Sequence, residues 1–417
     1  MNFAGKKILV LGAGTSGQSA AEFLRARCAA VEIFDDKNGK NPDTNGFDFC
    51  VISPGVSINH PVARKFNGRI ISELALGFTA THKKIVAVTG TNGKTTVTNM
   101  IGAALGVRGV VCGNVGVPVT SVSGETAKKI AVAEVSSFML EAEIGFRPDI
   151  AVILNIAQDH LERHGTMREY IRCKSKILCA KRAILNYDCP NCRALGDKKT
   201  LYFSAKTAVR GVFLVGGKIY YRPHKRAKKL FDLKDFREDR PHQIANILAV
   251  ILVCKLLGVP RKRILAACMG GTARAHRIEH VGTVGNVSFV NDSKATNIAA
   301  SLAACACFQG PIHLLLGGIT KGQNFDEMFV KLPGNVDRIF AFGAGADEIF
   351  AAAQRGGFVK SIETHKTMRM AAIAAAKYGF GPRVVLLSPA CSSFDEFNNY
   401  EERGKAFAEL VKELAHD

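Results

Sequence analysis

A glycine-rich loop between an apolar strand and a helix constrains this chain more than any other feature of its sequence. The loop, Thr89-Gly90-Thr91-Asn92-Gly93-Lys94-Thr95-Thr96, follows the apolar segment Ile85–Val88 and opens a helical pattern over Thr95–Leu105. Backbone N–H groups of such a loop, with the first turn of the helix, bind phosphate groups. Lys94 would contact the β- and γ-phosphates, and the Thr95 hydroxyl would hold Mg²⁺. The segment therefore predicts a nucleoside triphosphate site.

A second glycine turn lies near the N-terminus. Gly12-Ala13-Gly14-Thr15-Ser16-Gly17 follows a strand predicted over Lys7–Gly12. Asp35 stands about 20 residues further on, as in the dinucleotide-binding fingerprint. The turn alone leaves NAD, FAD and other nucleotide diphosphates open as ligands. Beside the phosphate loop, it predicts two nucleotide sites, one for ATP and one for a nucleotide-linked substrate.

The order of the predicted elements indicates an α/β protein. Strands alternate with helices, which favours doubly wound, mainly parallel sheets. At roughly 150 residues per domain, 417 residues suggest about three domains, which we place at 1–82, 83–273 and 274–417. The basic stretch Asp188–Asp239 is expected to form a smaller sheet or an insertion.

Charge and composition leave several classes of partner open. The chain has 56 Lys and Arg against 36 Asp and Glu, a net charge of +20, which is compatible with nucleic acid, an anionic membrane or anionic substrates. The basic residues are dispersed apart from Tyr220–Lys229, which we interpret as a solvated loop. No apolar run approaches the length of about 18 residues that a membrane helix requires.

The 12 cysteines, including the close pairs Cys189/Cys192 and Cys305/Cys307, are expected to be reduced, and inert thiols are favoured over a zinc site.

Polar residues follow two central strands. Glu134 ends the strand Ile130–Glu134, where a carboxylate beside a phosphate loop is a candidate second Mg²⁺ ligand. The alternative is a carboxylate at a helix N-terminus. Asp159 and His160 follow the strand Ile150–Asn155, as candidate metal or phosphate-side groups. A structural role for the histidine remains the alternative.

A third polar loop follows the strand Val287–Asn291. In this loop Asp292 could accept ribose hydroxyls, and Lys294 and Thr296 could contact anions. The alternative is a polar loop that caps the next helix.

In combination these motifs resemble the Mur ligase family, the ATP-dependent amide ligases of peptidoglycan precursor synthesis. The resemblance covers essentially the whole chain. Its motifs occur in the family order: Gly90–Thr96, Glu134–Phe138, Asp159-His160, Tyr170–Lys174, His242–Asn246 and His276-Arg277.

The resemblance implies three α/β domains: an N-terminal Rossmann-like UDP-binding domain, a central P-loop ATPase-like domain and a C-terminal Rossmann-like domain. Asn291–Asn297 and Leu387–Gly404 resemble the branch that adds D-glutamate to UDP-N-acetylmuramoyl-L-alanine. The implied reaction passes through an acyl phosphate. The implied cofactors are ATP and Mg²⁺.

The resemblance also implies a role for each site residue. Lys94, His160 and Lys174 would be catalytic, with Lys174 carbamylated. The residues around ATP would be Gly90, Thr91, Asn92, Gly93, Lys94, Thr95, Thr96, Asn246, Arg277 and Asp292. The metal would be held by Thr95, Glu134, His160 and Lys174. The UDP-linked substrate would contact Gly14, Thr15, Ser16, Asp35, Asn114 and Ser136. D-Glutamate would contact Thr296, Lys321, Ser393 and Tyr400.

Alternative functions are less compatible with these motifs. Another Mur-type ligase, such as the L-alanine-adding one, or a folylpolyglutamate synthase would share the ATP site. A nicotinamide oxidoreductase would leave Gly90–Thr96 unexplained, and a nucleic-acid-binding ATPase would need a clustered basic face. We therefore expect a cytoplasmic monomer without nucleic acid or a membrane span.

Overall fold

The computed structural model describes residues 2–38, 41–79, 84–122, 129–142, 145–238, 240–269, 275–358, 360–379 and 381–415. The chain divides into two compact units. The first comprises Met1–Ile156 and Arg168–Gly271, and the second comprises Ala157–Met167 and Thr272–Asp417. Both are α/β structures, as predicted. The domain boundaries predicted at 82/83 and 273/274 lie outside the described residues and stay predictions.

The first unit contains two sheets within the described ranges. In the first sheet all strands are parallel, in the order β2-β1-β3-β4. Its strands are β1 (Lys7–Leu11), β2 (Ala30–Phe34), β3 (Phe49–Ile52) and β4 (Ile70–Ser72).

The second sheet has the order β13-β12-β11-β10-β9-β8-β5-β7-β6. Its strands are β5 (Ile85–Thr89), β6 (Gly109–Gly113), β7 (Ile130–Glu134), β8 (Ile150–Ile153), β9 (Arg182–Asn186), β10 (Leu201–Ser204), β11 (Gly211–Val215), β12 (Lys218–Arg222) and β13 (Lys228–Asp232). The pairs β11/β12 and β12/β13 are antiparallel, and the other pairs are parallel.

Of the two alternatives for Asp188–Asp239, the separate smaller sheet is wrong. The strands in the described part of this stretch belong to the second sheet, because β10 pairs in parallel with β9 and continues it. Leu201 and Phe203 of β10 are buried and pack in the same core as Ile184 of β9. The apolar side chains of β10 therefore extend an existing core.

The second unit contains, in its described part, a sheet of order β14-β15-β19-β16-β17-β18. Its strands are β14 (Glu279–Val284), β15 (Val287–Asn291), β16 (Ile312–Gly317), β17 (Val336–Phe342), β18 (Ser361–His365) and β19 (Arg383–Ala390). Only β14 runs antiparallel to its neighbour among these described strands.

Helices connect the strands of each unit. The α-helices are α1 (Thr15–Arg25), α2 (Pro61–Arg64), α3 (Glu73–Thr79), α4 (Lys94–Leu105), α5 (Leu161–His164), α6 (Met167–Ser175), α7 (Pro190–Arg193), α8 (Pro241–Leu256), α9 (Arg261–Met269), α10 (Ile298–Cys305), α11 (Phe325–Lys331), α12 (Ala346–Arg355), α13 (Met368–Lys377) and α14 (Tyr400–Leu414). Short 3₁₀ turns lie at Asp36–Asn38, Gly106–Arg108, Thr120–Val122, Phe138–Leu140, Lys176–Leu178, Leu233–Phe236 and Gly343–Gly345. Within the described ranges, no helix has both the length and the apolar character needed to cross a bilayer.

The position of β5 explains where the phosphate loop lies. All five residues of β5 are buried, as expected for a central parallel strand covered on both faces. Helix α4 leaves the loop after β5 and packs against α8. Helix α8 starts at Pro241, where the missing N–H costs nothing. Its residues Ile244 and Asn246–Cys254 are buried, so α8 fixes α4 on the sheet.

Candidate functional site

In each sheet, one strand has a parallel neighbour on each side. The loops that follow these three strands lie at the same edge of the sheet. The middle strand is β1 between β2 and β3, β5 between β7 and β8, and β19 between β15 and β16. Parallel neighbours deliver their following loops to the same edge, which is where α/β proteins bind ligands. Most of the predicted site residues lie on these nine loops.

The phosphate loop is held in shape by Asn155, at the end of β8. The Thr91 N–H donates to the Asn155 carbonyl at 2.9 Å, and the Asn92 N–H donates to Asn155 Oδ1 at 2.8 Å. The Asn155 amide donates back to the Asn92 carbonyl at 3.0 Å. Asn155 was not predicted as a site residue, although a polar side chain at the end of a predicted apolar strand was a signal for it.

Gly93 lets the loop approach α8 closely. It has a φ of +86°, and a Cβ there would lie 2.5 Å from Asn246 Oδ1. This backbone region favours glycine, and the contact leaves no room for a side chain. Asn246 is buried beside the loop and donates to Gln243 Oε1 at 3.2 Å. The predicted ATP residue Asn246 therefore does lie at the phosphate loop.

Two lysines converge on the Gly90 carbonyl. Lys94 Nζ donates to the carbonyls of Gly90 and Thr91 at 2.9 and 2.8 Å. Lys174 is 1% exposed, and its Nζ donates to the Gly90 carbonyl at 3.1 Å. The Lys174 amine also lies 4.6 Å from the ring centroid of Tyr170, whose hydroxyl is 3.2 Å from Thr91 Oγ1. The two amines thus place positive charge at this loop, which suits a polyphosphate.

Glu134 supplies an oxygen suited to a cation. The side chain is 2% exposed, and its Oε1 accepts from Asn114 Nδ2 at 2.8 Å. Its Oε2 is buried and has no hydrogen-bond partner among the described residues. Burying such an oxygen is costly unless it is paired. Carboxylate and hydroxyl oxygens are the ligands that Mg²⁺ prefers, so Glu134 and the half-buried Thr95 fit a magnesium ion.

The turn after β1 opens onto a pocket of about 820 Å³. Five predicted substrate residues line it: Gly14, Thr15, Ser16, Asp35 and Asn114. Asp35 accepts N–H groups from Ala13 at 2.9 Å and Lys37 at 3.2 Å, and these bonds lower its pKa. Ser136, the sixth predicted residue, does not line this pocket but accepts the Met139 N–H at 3.3 Å.

In the second unit Lys321 forms a buried ion pair with Asp159. The Lys321 amine lies 2.8 Å from Asp159 Oδ1, and Asn297 Nδ2 donates to Asp159 Oδ2 at 3.1 Å. Burial opposes ionisation of Asp159, but the charge of Lys321 and the hydrogen bonds from Lys321 and Asn297 act against it, and the net effect lowers the pKa. Lys321 itself has a φ of +57°, a conformation uncommon outside glycine. The ion pair therefore fixes the direction of the predicted D-glutamate lysine.

His160 belongs to the same cluster. Its Nε2 lies 3.5 Å from Asp159 Oδ2. Burial, the main cause, lowers the pKa of the imidazole although Asp159 opposes the change. The neutral imidazole is the form that binds metals, so the protonation state suits the predicted metal role.

Asp292 lies in the loop after β15 and is buried. It accepts from Ser388 Oγ at 2.8 Å and from the Ile278 N–H at 3.3 Å. Burial raises its pKa to about 7, and the hydrogen bonds from Ser388 and Ile278 and the charge of Arg277 oppose this only in part. A cation or a ribose hydroxyl at Asp292 would relieve part of this cost.

The other predicted amino-acid residues lie on loops of the same sheet. Tyr400 accepts a short hydrogen bond from Lys294 Nζ, and Ser393 is buried. Thr296 follows in the same loop as Lys294.

A buried arginine ties these loops together and was missed by the sequence analysis. The Arg403 guanidinium is fully buried and donates to Ser293 Oγ at 3.0 Å. It also donates to the carbonyls of Ser293 and Cys391, at 2.9 and 3.1 Å. Arg403 thus joins the loops after β15 and β19. Its place in the Tyr400–Gly404 motif was the available signal.

Comparisons with known proteins agree with this geometry. The Mur ligase middle domain matches residues 88–254, and the glutamate ligase domain of Mur ligases matches residues 276–391. A relative from Acidobacterium capsulatum, UDP-N-acetylmuramoylalanine–D-glutamate ligase, is 36% identical over 100% of this chain and 98% of its own length. The Koribacter versatilis protein of the same name is 35% identical over 100% and 99%.

Solved structures show the same fold at low sequence identity. A pseudomurein peptide ligase type C from Methanothermus fervidus has a TM-score of 0.63 at 15% identity, over 98% of this chain and 100% of that one. MurF ligase from Thermotoga maritima, solved in complex with ADP, has a TM-score of 0.58 at 17% identity, over 99% and 96%. Since both family domains match in order and relatives above 30% identity align over the full length, this chain belongs to the Mur ligase family.

Proposed function

We propose that this protein is an ATP-dependent amide ligase that joins D-glutamate to UDP-N-acetylmuramoyl-L-alanine. The observation that carries the proposal is the phosphate loop with Lys94 and Lys174 on one carbonyl, in a chain similar over its full length to ligases named for this reaction. The pocket after β1 supports the second part, because its size suits a nucleotide-linked substrate.

The reaction needs an activated carboxylate, because a carboxylate oxyanion is a poor leaving group. The substrate carboxylate attacks the γ-phosphorus of ATP, which gives an acyl phosphate and ADP. The unprotonated amine of D-glutamate then attacks the acyl carbon. The attacking nitrogen loses a proton, and the tetrahedral intermediate then expels inorganic phosphate and leaves the amide.

The loop geometry and the family resemblance support a set of ATP residues. Gly90–Thr96 would surround the phosphates, and Lys94 would exchange its two carbonyl contacts for the β- and γ-phosphates. Asn246 would lie on the adenine side. In the second unit, Arg277 and Asp292 would contact ATP.

Magnesium would be held by oxygen and imidazole ligands of this chain: Thr95, Glu134, His160 and a carbamylated Lys174. When bound, Mg²⁺ supplies positive charge next to the transferring phosphoryl group. The unpartnered Oε2 of Glu134 supports this assignment. A carbamate on Lys174 would turn a buried cation into an anionic oxygen donor, which Mg²⁺ accepts as a ligand.

The two substrates would use different units. Gly14, Thr15, Ser16, Asp35, Asn114 and Ser136 would bind the UDP-linked substrate. Thr296, Lys321, Ser393 and Tyr400 would bind D-glutamate. Cationic and hydroxyl groups at both ends of a short diacid select it better than apolar contacts would.

We place the protein in the cytoplasm, where reduced thiols are the default state. We further propose that it acts as a monomer with three domains, at 1–82, 83–273 and 274–417, and without nucleic acid.

The test is ADP release with UDP-N-acetylmuramoyl-L-alanine and Mg²⁺, in parallel reactions with D-glutamate, L-glutamate, L-alanine and no amino acid. Turnover with D-glutamate alone is expected. ADP release with L-alanine or L-glutamate would be consistent with an ATP-dependent ligase but would contradict D-glutamate as its substrate. If no amino acid stimulates ADP release, the proposed ligase activity is contradicted.

A further inference from the structure

Cys189 and Cys192 take no part in the proposed ligase chemistry. They follow β9, with Cys189 directly before α7 and Cys192 inside it. Cys192 is fully buried and Cys189 is half-buried. Two cysteines separated by two residues, as here, have the spacing of thiol–disulfide pairs. The sequence favours inert thiols, but the surroundings of Cys189 argue otherwise.

The sulfur of Cys189 lies against the backbone of Ile156, where it donates as a thiol to the carbonyl at 3.8 Å and accepts from the N–H, the bond that favours a thiolate. The Ile156 N–H donates to Cys189 Sγ at 3.4 Å. The neighbouring Cys192 side chain is the main cause that lowers the pKa of Cys189 to about 6, and nearby backbone N–H groups contribute to the same shift. The same contact and burial raise the pKa of Cys192. Cys189 is thus the nucleophile of the pair and Cys192 the thiol that can resolve it.

The pair also touches the support of the phosphate loop. Ile156, which contacts Cys189, directly follows Asn155, the residue that holds Thr91 and Asn92. Asn191, between the two cysteines, donates to the Ile156 carbonyl at 3.0 Å. A disulfide sulfur carries no negative charge and is a weaker acceptor than a thiolate. Oxidation would therefore release the Ile156 N–H next to the residue that shapes the loop.

We propose that Cys189 and Cys192 form a thiol–disulfide site for low-molecular-weight disulfides, and that closing this disulfide weakens nucleotide binding at the phosphate loop. The second half rests on the proposed ATP site. The first half does not.

The exchange is balanced. The Cys189 thiolate attacks one sulfur of the small disulfide, breaks its S–S bond and releases one thiolate. Cys192 then loses its proton to solvent and attacks the Cys189 sulfur, which expels the second thiolate and closes the intramolecular bond. The two cysteines lose two electrons, and the small disulfide is reduced to two thiols.

The test incubates the full chain with glutathione disulfide and maps the modified cysteines by mass spectrometry. We expect the Cys189–Cys192 disulfide to form before the exposed Cys28 and Cys179 are modified. Cys192→Ser should stop at the mixed disulfide on Cys189. Faster modification of Cys28 or Cys179 would overturn the site.

The second readout is the dissociation constant of Mg²⁺–ADP, measured by calorimetry on the reduced and oxidised protein. We expect it to rise about fivefold on oxidation, the effect of losing one hydrogen bond, and to return with dithiothreitol. The Cys189→Ser variant should bind Mg²⁺–ADP with the constant of the reduced protein, and glutathione disulfide should not change that constant. In the Cys179→Ser variant, the oxidant should still raise it. An unchanged constant after the disulfide has formed would overturn the coupling. If the reduced protein binds no nucleotide, the proposed ATP site fails, while the mapping still decides the thiol site.

Discussion

The glycine turns after β1 and β5 share a strand–glycine–helix pattern, yet their surroundings differ. The turn after β1 borders an open pocket of about 820 Å³, and the Asp35 carboxylate accepts a hydrogen bond from its backbone. The turn after β5 is filled by Lys94 and Lys174, which both donate to Gly90. The first offers a preformed cavity, and the second offers concentrated positive charge.

The difference shows that glycine spacing determines the path of the backbone but not the ligand. Gly12 and Gly93 both have positive φ, +95° and +86°. The ligand depends on the side chains that neighbouring strands and helices bring to the turn. A carboxylate beside an open cavity suits sugar hydroxyls, whereas two amines in a narrow loop suit phosphates.

Replacing Lys94 should give the largest difference between the effects on the two glycine turns. Lys94→Met keeps the aliphatic stem but removes the charge, so ADP release should fall on the order of 10³-fold. Binding of the UDP-linked substrate, measured by calorimetry, should stay within about twofold, because Lys94 is not among the residues that line the β1 pocket. The exposed Lys331→Met serves as the control. Loss of UDP-substrate binding in Lys94→Met would contradict the separation.

Lys174→Ala tests whether the second amine acts as a carbamate. Activity should fall on the order of 10²-fold, because a donor at the metal and the loop contact are both lost. Added acetate or formate should restore part of the rate, since a small carboxylate can supply the missing anionic oxygen. A fully active Lys174→Ala would contradict the assigned role.

The turn after β1 should be more sensitive to added volume than to charge. A Cβ on Gly17 would lie 1.8 Å from the Gly12 carbonyl oxygen, whereas a Cβ on Gly14 meets nothing within 4 Å. Gly17→Ala should therefore lower the free energy of unfolding by about 2 kcal/mol, and Gly14→Ala should leave it nearly unchanged. Urea unfolding followed by circular dichroism measures both. Equal effects would mean that the close approach does not define this turn.

Local patterns predicted the elements around the turn after β5 most closely. Ile130–Glu134 was predicted with both of its ends, and β5 and α4 within one residue, because a short run of apolar residues is a local signal. Strands β14 and β18 were not predicted. Both lie at sheet edges and are only partly buried, so their side chains lack a continuous apolar pattern.

The contacts that orient the site residues could not be predicted in the same way. Asp159 and Lys321 are 162 positions apart, and Lys174 reaches Gly90 from 84 positions away. No short motif encodes such pairs, because they depend on how the strands are ordered in the sheet. The residues themselves were predicted through family motifs, whereas their partners required the fold.

Glu134→Gln has the smallest expected effect, and it tests whether the turns after β1 and β5 act independently. The variant keeps the size of the side chain and its contact with Asn114 Nδ2, but removes the negative charge of the buried, unpartnered oxygen. The Mg²⁺ concentration for half-maximal ADP release should rise about tenfold, as for a weakened metal environment. Affinity for the UDP-linked substrate should change less, although Asn114 also lines the β1 pocket. An unchanged Mg²⁺ requirement would contradict the proposed role of Glu134 as a metal ligand. A loss of UDP-substrate affinity as large as the Mg²⁺ effect would show that Asn114 couples the two turns.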